Sequence, residues 1–356
     1  MPKVVTTGHR GLTLGHMTAA VPICTIVPPY VLDRLAEAGH EPAVHSLALD
    51  AEHRTARLSP PPPVAATPGL NRVIYDAGHG QRLPGRSVRT EGRGASSDSS
   101  VNHAYDGLGA TFALYADVFG RHSIDDRNLR LDASVHYGRN YDNAFWNGHQ
   151  MVFGDGDNVV FGDFTACIDV IGHELTHGVT QFTAGLDYQD QPGALNESVS
   201  DVFGSLVKQY SLHQSAADAD WLIGAGLLAP GVQGVALRSM KAPGTAYDDP
   251  QLGKDPQPAH MRDYVNTSQD NGGVHINSGI PNHAFYLLAT ALGGSAWERA
   301  GRIWYDALTG RTLPADADFT AFARATVAAA KARYPDDRSV VDTVTASWAQ
   351  VGVSPG

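Results

Sequence analysis

The chain of 356 residues has only two cysteines and few charged side chains for its length. Cys24 and Cys167 lie far apart in the sequence, which excludes a disulfide framework and predicts small, buried or half-buried apolar side chains. Charged residues make up 18% of the chain, and the formal net charge is −11. No block rich in lysine or arginine occurs, which argues against nucleic acid as a partner.

Long apolar runs are also missing. No stretch approaches the roughly 20 uninterrupted apolar residues that a bilayer-spanning helix needs, so a membrane partner is not expected. Near the N-terminus, Pro22 interrupts the run "AAVPICTIV", and no cationic start or small-residue cleavage site frames it. We therefore expect no Sec-type signal peptide, which leaves a cytoplasmic location or another export route open.

A proline-rich segment, "SPPPPVAATPG" at residues 59–69, divides the chain. Consecutive prolines favour an extended, exposed linker, which is a natural site for proteolytic cleavage. Before the linker, "PYVLDRLAEAG" predicts a short helix. After it come the strand-like pieces "NRVIYDA" and "SVHYG", and a hairpin is predicted in "MVFGDGDNVVF", around the turn "GDGDN".

Helical patterns dominate from about residue 166 onward, with one earlier helix among the strands. Strands first and helices afterwards predict a two-lobed α+β protein. The predicted helices are "VNHAYDGLGATFALYADVFG", "ESVSDVFGSLVKQY", "SAWERAGRIWYDAL" and "ADFTAFARATVAAAKARY", the last with Asp318 as its cap.

The stretch "IDVIGHELTHGVT", residues 168–180, carries a cluster of ionisable side chains in an apolar run. If it is helical, His173 and His177 project from one face one turn apart, and their imidazoles can hold the same zinc ion. Glu174 then points near the metal without binding it and can take a proton from a zinc-bound water. The alternative is a chance match on a solvated helix face.

A hydrolytic zinc usually has three protein ligands and one open position. Glu197, in "GALNESVSDVFG", is the candidate third ligand and is expected at the start of the next helix. Asn196 and Asp201 flank it, and both can accept hydrogen bonds from the outer ring nitrogens of the ligand histidines. Otherwise, an isolated glutamate early in a helix is a favourable partner for the helix dipole.

Another candidate is His275 in "DNGGVHINSGIPNHAF", behind a Gly-Gly turn. A histidine near the open zinc position can stabilise the oxyanion that forms when water attacks a carbonyl, and Asp270 can orient it. The alternative is a structural histidine of the turn.

Several blocks of sequence occur together in one order: "YDNAFWNGHQMVFGDGD", "HELTHGVT", "AGLDYQDQPGALNESVSDVFG", "ALRSM" and "DNGGVHINSGIPN". From about Asn71 to its end, the chain therefore resembles the thermolysin family of neutral zinc metallopeptidases. This resemblance implies that His173, His177 and Glu197 bind the zinc and that Glu174 is the general base. It implies that His275 and Tyr188 stabilise the transition state, with Asp270 orienting His275. The residues implied to bind the substrate backbone are Asn143, Ala144 and Arg238.

The same resemblance implies an apolar pocket for the residue that follows the scissile bond. Because every residue of this pocket is apolar, cleavage is expected before Leu, Phe, Ile or Val, and two phenylalanines would make the pocket shallower. The implied lining residues are Phe161, Phe164, Val170, Ile223 and Leu237.

The chain departs from the family pattern where thermolysin binds a pair of calcium ions. Oxygen-rich coordination is lost there, so we expect the paired calcium site to be absent and the ammonium of Lys208 to lie between Asp169 and Asp220. The alternative is that Lys208 points into solvent. A second calcium loop also lacks ligands, since Ala229 and Val235 occupy ligand positions. The positions that match the paired site are Asp169, Lys208, Asp220, Leu222 and Ala225.

The N-terminal part, with "ICTIVPPYVLDRLAEAG", resembles the short propeptide of the protealysin-like subgroup. The resemblance implies a zymogen whose prosegment inhibits the enzyme intramolecularly and is removed near the linker. Cys24 either binds the zinc as a thiolate and blocks its open position, or is a buried apolar cysteine. The expected organisation is a propeptide at 1–58, a linker with the processing site at 59–70, a β-rich catalytic lobe ending in the zinc-binding helix at 71–182, and an α-helical catalytic lobe at 183–356.

The expected activity is endopeptidase cleavage of peptides and proteins, with one catalytic zinc, by a monomer that is secreted as most family members are. A zinc-containing binding or scaffold protein would lack Glu174, Tyr188 or His275, and all three are present. An enzyme that hydrolyses another amide or ester would use the same zinc site. The apolar pocket and Arg238, which suits a peptide carbonyl, favour the endopeptidase.

Overall fold

The computed structural model describes residues 24–55 and 68–356. Most of the proline-rich linker, and with it the predicted processing site, lies outside the described residues. The described part before the linker, residues 24–55, is called the N-terminal segment below. It contains the strand β1 (Cys24–Thr25) and the helices α1 (Pro29–Glu37) and α2 (Glu41–Thr55).

Helix α1 confirms the prediction made from "PYVLDRLAEAG". Pro29 stands at its first position, where the fixed φ of proline suits a helix and no backbone donor is lost. Val31, Leu32 and Leu35 form its buried face, as their spacing predicts. Helix α2 was not predicted, because its apolar residues are not concentrated on one face of the helix.

The β-rich lobe is built on a six-stranded mixed sheet with strand order β1-β5-β6-β4-β2-β3. β2 and β4 are parallel, as are β4 and β6, and the other pairs are antiparallel. The N-terminal segment supplies the edge strand, since β1 pairs with β5. The remaining strands are β2 (Arg72–Asp76), β3 (Arg86–Thr90), β4 (Leu131–Val135), β5 (Ala144–Trp146) and β6 (Met151–Phe153).

The predicted hairpin around "GDGDN" is wrong. β6 instead turns back onto β5, and the turn between them is held by Asn147, whose Oδ1 accepts from the backbone N–H groups of His149 and Gln150. After β6, Asp157 Oδ1 accepts from three successive backbone N–H groups, those of residues 159 to 161. These donors are therefore satisfied by a side chain, and the segment closes as a loop and not as a second strand.

The predicted strand in "SVHYG" is confirmed only in part. β4 ends at Val135, because His136 has a positive φ of 54° and leaves the extended conformation. The earlier predicted helix is confirmed: α3 (Ser99–Ala113) continues into a π-helical turn, Leu114–Val118.

The two central helices are α4 (Ile168–Gln181) and α5 (Asp190–Ser211). They pack very closely because glycines face the contact. A Cβ at Gly204 would lie 2.5 Å from the carbonyl oxygen of Asp169, and one at Gly172 would lie 3.0 Å from Val207 Cβ. Glu197 was expected at the start of its helix, but α5 begins at Asp190, so Glu197 lies in the helix interior. The close approach brings it towards the histidines of α4.

The helical lobe completes the molecule around the aromatic pair Trp304 and Trp348, which stack with a centroid distance of 5.6 Å. Asp318 caps its helix as predicted, accepting from Ala321 N at 2.7 Å. The helix predicted from residue 295 begins only at Ala300. The elements are β7 (Leu222–Ile223) paired with β8 (Arg238–Ser239), β9 (Asp248–Asp249) paired with β10 (Gly253–Lys254), and the helices α6 (Asp270–Asn277), α7 (Gly279–Leu292), α8 (Ala300–Thr309), α9 (Phe319–Arg333) and α10 (Arg338–Gln350).

Strands before helices thus give the two-lobed α+β architecture that the sequence predicts, with α4 and α5 at its centre. Within residues 24–55 and 68–356, every helix is too short or too polar to cross a bilayer.

Candidate metal centre

Three buried side chains converge where α4 and α5 meet. Nε2 of His173 lies 3.0 Å from Nε2 of His177, and the two nitrogens lie 3.5 and 3.6 Å from the carboxylate oxygens of Glu197. The ligand atoms of all three residues fall within 4.8 Å of one another. The structure therefore brings together the residues that the sequence nominates as metal ligands.

Hydrogen bonds to the outer ring nitrogens set the tautomer of both imidazoles. Nδ1 of His173 donates to Asp201 Oδ1 at 2.8 Å, and Nδ1 of His177 donates to Asn196 Oδ1 at 2.9 Å. Burial lowers the pKa of His177 to about 4, so it stays neutral with its proton on Nδ1. Each Nε2 then carries a bare lone pair, and the two lone pairs face each other.

This arrangement fits a zinc ion. Two bare lone pairs 3.0 Å apart in a buried site repel each other unless a cation lies between them. Oε2 of Glu197 is buried without a hydrogen-bond partner, which again leaves a ligand atom free. Burial alone would raise the pKa of Glu197, but the facing His275, His177 and His173 hold it at about 2, so the carboxylate is ionised.

Glu174 lies beside these ligands on α4 and is fully buried. Its Oε2 accepts from the backbone N–H of Trp146 at 2.9 Å, while its Oε1 has no hydrogen-bond partner. Burial, assisted by the charge of Glu197, raises the pKa of Glu174 well above its ordinary value. One oxygen is thus anchored and the other is free to accept a proton.

His275 reaches the same centre from α6. Asn271, Gly272 and Gly273 have left-handed backbone angles, and this turn lets Asp270 accept from both the backbone N–H and Nδ1 of His275, at 2.9 and 2.6 Å. Although burial opposes it, Asp270 and Glu197 raise the pKa of His275 to about 9. The imidazolium is therefore a ready hydrogen-bond donor.

Tyr188, in the loop between α4 and α5, also reaches the candidate metal ligands. Its hydroxyl donates to Glu197 Oε1 at 2.5 Å and lies 3.4 Å from Nε2 of His275. The two groups that the family resemblance nominates as transition-state stabilisers therefore lie side by side next to the candidate metal ligands.

The three groups nominated to bind the substrate backbone are occupied by the N-terminal segment. Asn143 Oδ1 accepts from Val27 N at 2.9 Å, and the Ala144 carbonyl accepts from Ile26 N at 3.1 Å. Arg238 Nη1 donates to the Ile26 carbonyl at 3.1 Å. A short extended piece of the chain itself therefore lies along the surface where a peptide is expected.

The nominated pocket residues are all buried, and they belong to one apolar cluster that also contains Ile26 and Val27. The rings of Phe161 and Phe164 pack with centroids 5.9 Å apart. The other members of the nominated pocket are Val170, Ile223 and Leu237.

Cys24 also reaches the candidate metal centre. No sequence motif indicated how close its sulfur lies to the candidate ligands. Its Sγ lies 2.5 Å from Glu197 Oε1 and 2.6 Å from the Tyr188 hydroxyl oxygen. With Glu197 and His275 it forms a second set of atoms with metal-ligand spacing. Burial, followed by the charge of Glu197, raises the pKa of the thiol well above its ordinary value.

Asp50, in α2, also lies at the site, although the sequence did not predict it as a site residue. Its carboxylate accepts from the Tyr141 hydroxyl at 2.5 Å and from Asn143 Nδ2 at 3.0 Å. Nothing in the sequence marks this residue, because a lone aspartate on a helix is usually exposed. Its contacts place a second part of the N-terminal segment on a nominated substrate-binding residue.

The nominated calcium region contains an ion-pair cluster. Lys208 Nζ lies 2.7 Å from Asp220 Oδ2 and 3.3 Å from Asp169 Oδ2. The lysine therefore lies between the two carboxylates and does not point into solvent. Leu222 and Ala225, at the other matching positions, offer no side-chain oxygen.

A two-lobed fold with two histidines and a glutamate around a metal position, and a buried free carboxylate beside them, defines a metallohydrolase. Models of the thermolysin metallopeptidase family match almost the whole described chain after the linker: the catalytic domain matches residues 71–181 and the α-helical domain matches residues 184–353. The chain belongs to the thermolysin family, and it is a zinc metallopeptidase.

Relatives with similar sequences support this assignment. An extracellular metalloprotease of Pectobacterium carotovorum is 53% identical over 338 residues, which cover 93% of this chain and 97% of the relative. Protease PrtS of a Photorhabdus strain is 48% identical, covering 92% and 91%. Among solved structures, the precursor of protealysin from Serratia proteamaculans is 55% identical, with a TM-score of 0.86, and covers 93% of this chain and 100% of that one.

Proposed function

We propose that this metallopeptidase is an endopeptidase that is made as a zymogen and cleaves peptide bonds on the N-terminal side of bulky hydrophobic residues. The observation that carries the proposal is the free, buried Oε1 of Glu174 beside the convergent ligand atoms of His173, His177 and Glu197. Hydrolysis by this chemistry needs both parts, a metal position and an adjacent proton acceptor.

When bound, the zinc ion supplies a Lewis acid that polarises the scissile carbonyl and acidifies a water. Glu174 accepts the proton of the attacking water at Oε1 and passes it to the departing amine. Because its Oε2 is held by Trp146 N, the carboxylate keeps one orientation during both transfers. Its raised pKa suits this exchange, since a stronger base holds the proton between the two steps.

His275 and Tyr188 donate hydrogen bonds to the developing oxyanion in this proposal. His275 is kept protonated and oriented by Asp270, and Asp201 and Asn196 hold the ligand histidines in the tautomer that offers Nε2 to the metal.

The substrate is proposed to bind as an extended strand. Its backbone would form hydrogen bonds with Asn143, Ala144 and Arg238. These three residues already form such bonds with the backbone of residues 26 and 27 of the chain itself. The side chain following the scissile bond would enter the pocket of Phe161, Phe164, Val170, Ile223 and Leu237. An apolar pocket without a charged or polar partner selects Leu, Phe, Ile or Val over polar residues.

We propose that residues 1–58 are the propeptide and act as an intramolecular inhibitor. β1 adds to the sheet edge formed by β5, with Cys24 opposite Trp146 and Thr25 opposite Phe145, in the manner of a bound peptide. The same segment occupies Asn143, Ala144 and Arg238, so substrate and propeptide compete for one surface. Cleavage in the linker, residues 59–70, would separate it from the catalytic lobes at 71–182 and 183–356.

Cys24 is proposed to be the zinc-blocking group of the propeptide. A buried apolar cysteine would need no polar contact, whereas the Cys24 sulfur lies against the ligand carboxylate of Glu197 and the hydroxyl of Tyr188. A thiolate is a strong zinc ligand, and metal binding offsets the cost that burial imposes on its charge.

The paired calcium site is proposed to be replaced by the ammonium of Lys208. Its contacts to Asp169 and Asp220 neutralise carboxylates that a divalent ion would otherwise bridge. We further propose that the enzyme is a secreted monomer, in line with the relative that is named extracellular.

The proposal is tested by digesting casein and a peptide library with the purified protein after its N-terminal segment has been removed, and by sequencing the products by mass spectrometry. We expect new N-termini that begin with Leu, Phe, Ile or Val, inhibition by phenanthroline and recovery on adding zinc. Mass spectrometry of the protein N-terminus in cell and medium fractions locates the processing site and the compartment. Zinc binding without any cleavage, after removal of the N-terminal segment, would instead indicate a binding protein.

A further inference from the structure

A second cluster of metal-ligating side chains lies away from the active site, between the N-terminal segment and the catalytic lobe. It consists of His40, just before α2, and of Asp142 and Asp157, which follow β4 and β6. His40 Nε2 lies 2.6 Å from Asp157 Oδ2 and 4.0 Å from Asp142 Oδ2. One ligand atom from each residue falls within 4.8 Å of the others.

The three facing atoms are inaccessible to solvent and none has a hydrogen bond of normal geometry. The side chain of Asp142 is completely buried, that of Asp157 is 2% exposed, and that of His40 is 17% exposed. The short contact between His40 and Asp157 therefore does not satisfy either atom fully. A buried carboxylate oxygen without a partner is costly, so Asp142 Oδ2 in particular requires an explanation.

The other oxygen of each carboxylate is fully engaged and holds its side chain in place. Asp142 Oδ1 accepts from Asp157 N at 2.8 Å, and Asp157 Oδ1 accepts from the backbone N–H groups of residues 159 to 161. The loop thus fixes both carboxylates with one free oxygen each pointing at His40. Ligands that are oriented by a surrounding shell of hydrogen bonds are characteristic of built metal sites.

The charges of the cluster do not balance. Even a protonated His40 offsets only one of two carboxylates, and both are withdrawn from solvent. When both carboxylates are ionised, the cluster therefore carries an excess of negative charge. A divalent cation would remove it.

We propose that His40, Asp142 and Asp157 bind a second divalent transition-metal ion, with zinc as the expected metal, which cross-links the N-terminal segment to the catalytic lobe. One imidazole and two carboxylates are a suitable ligand set for zinc, which binds such nitrogen and oxygen atoms at about 2.0–2.2 Å. The catalytic lobe alone retains only the two carboxylates, so the ion binds strongly only while the segment is in place.

The consequence for latency rests on the function proposed above. An ion at this position stabilises the closed state by its binding free energy, because that state alone offers all three ligands. Metal removal would then release the inhibitor at the same time as it empties the catalytic centre. The existence of the second site does not depend on peptidase activity.

The test counts zinc in the full-length chain carrying Glu174→Gln, which prevents self-cleavage. The protein is saturated with zinc, passed through metal-free buffer and analysed by inductively coupled plasma mass spectrometry. We expect a second equivalent of zinc beyond the catalytic one. His40→Ala and Asp142→Asn each lose that second equivalent, whereas His45→Ala, which alters an exposed histidine in α2, retains it.

Removing the catalytic ion separately distinguishes the two sites. In a His177→Ala background, the remaining zinc should persist and should disappear on adding His40→Ala. Equal zinc contents in the parent and in folded His40→Ala would overturn the proposal. A proton shared within the cluster, and not a metal ion, would then offset the charge of the carboxylates. If His40→Ala fails to fold, His40→Gln, which keeps a donor to Asp157 but is a poor zinc ligand, gives the same decision. If the parent binds only the ion that depends on His40, and His177→Ala loses no zinc, the result would count against the proposed function and not against this site.

Discussion

The backbone carbonyl of Thr25 lies 3.1 Å from Nε2 of His275, which donates a hydrogen bond to it. His275 is the residue proposed to stabilise the oxyanion of a substrate, so the N-terminal segment presents a carbonyl where the substrate is expected to present one. Ile26 and Val27 follow with backbone contacts to the groups proposed to hold a peptide. The proposed inhibition by this segment would therefore use the same hydrogen-bonding groups that are proposed to hold a substrate.

The proton acceptor is tested by Glu174→Gln. The amide oxygen still accepts from Trp146 N, and the metal ligands are unchanged, so we expect zinc content to stay the same. Turnover of a peptide substrate should fall by about 10³-fold or more, because general-base catalysis is lost. His173→Ala is the comparison and should lose both zinc and activity. Substantial activity in zinc-loaded Glu174→Gln would contradict the assigned role.

The zinc-blocking role of Cys24 is tested by Cys24→Ser. If the thiolate holds the open metal position, the intact chain with serine should hydrolyse a small peptide at least about tenfold faster, which corresponds to roughly 1.4 kcal/mol. Cys167→Ser is the matched control, because Cys167 is also a buried free cysteine and its sulfur donates to the Ala225 carbonyl, at 3.5 Å. Unchanged latency in Cys24→Ser would show that the cysteine is only a packing residue.

The buried pair of Asp201 and Arg238 is expected to dominate local stability. Arg238 donates to both oxygens of Asp201, at 2.8 and 2.9 Å, and both residues are buried. Asp201→Ala leaves the guanidinium unpaired and should lower the free energy of unfolding by about 3–5 kcal/mol, measured in urea on zinc-loaded protein. Asp342→Ala, which removes an exposed partner of Arg338, should change it by less than about 0.5 kcal/mol. Similar effects of the two substitutions would refute this ranking.

The proposed replacement of the paired calcium site by Lys208 is tested by Lys208→Glu. Placing a third carboxylate beside Asp169, which is buried, should destabilise the protein by about 1–3 kcal/mol without calcium, and added calcium should recover most of the loss. The parent should show no change in melting temperature on adding calcium at saturating zinc. The exposed Lys331→Glu serves as control. A strong rise in the melting temperature of the parent with calcium would disprove the replacement.

A histidine outside the active site should make stability depend on pH. His136 lies 2.8 Å from both Asp155 and Asp98, and these partners raise its pKa to about 9, with the hydrogen bond to Asp155 contributing most. Because the folded pKa lies above the unfolded value of about 6.5, the stabilisation is complete below pH 6.5 and is lost as the pH rises through about 9. The melting-temperature difference between the parent and His136→Gln should shrink over this range. His103→Gln, at an exposed position of α3, should show no such trend, and a difference that grows with pH would contradict the assignment.

The metal centre was largely predictable, because local geometry fixes it. Two histidines one turn apart on a helix must share a face, so His173 and His177 needed only a helix at residues 168–181 to converge. The strands, by contrast, were predicted less well: the loop at Asp157 was mistaken for a hairpin turn. Its side chain satisfies three backbone donors that a hairpin would have paired with a strand, and a sequence pattern of apolar and turn residues does not reveal this.

The sequence by itself therefore predicted the two histidine ligands and the adjacent base, since these follow from residue type and short-range spacing, whereas the apolar pocket was implied only by the resemblance to the family. The tertiary structure decided which distant parts meet: Thr25 with His275, Asp50 with Asn143, and His40 with Asp142 and Asp157. Such contacts depend on how the N-terminal segment packs across the sheet edge and the central helices. That packing is governed by shape and burial over the whole molecule, which no local pattern specifies.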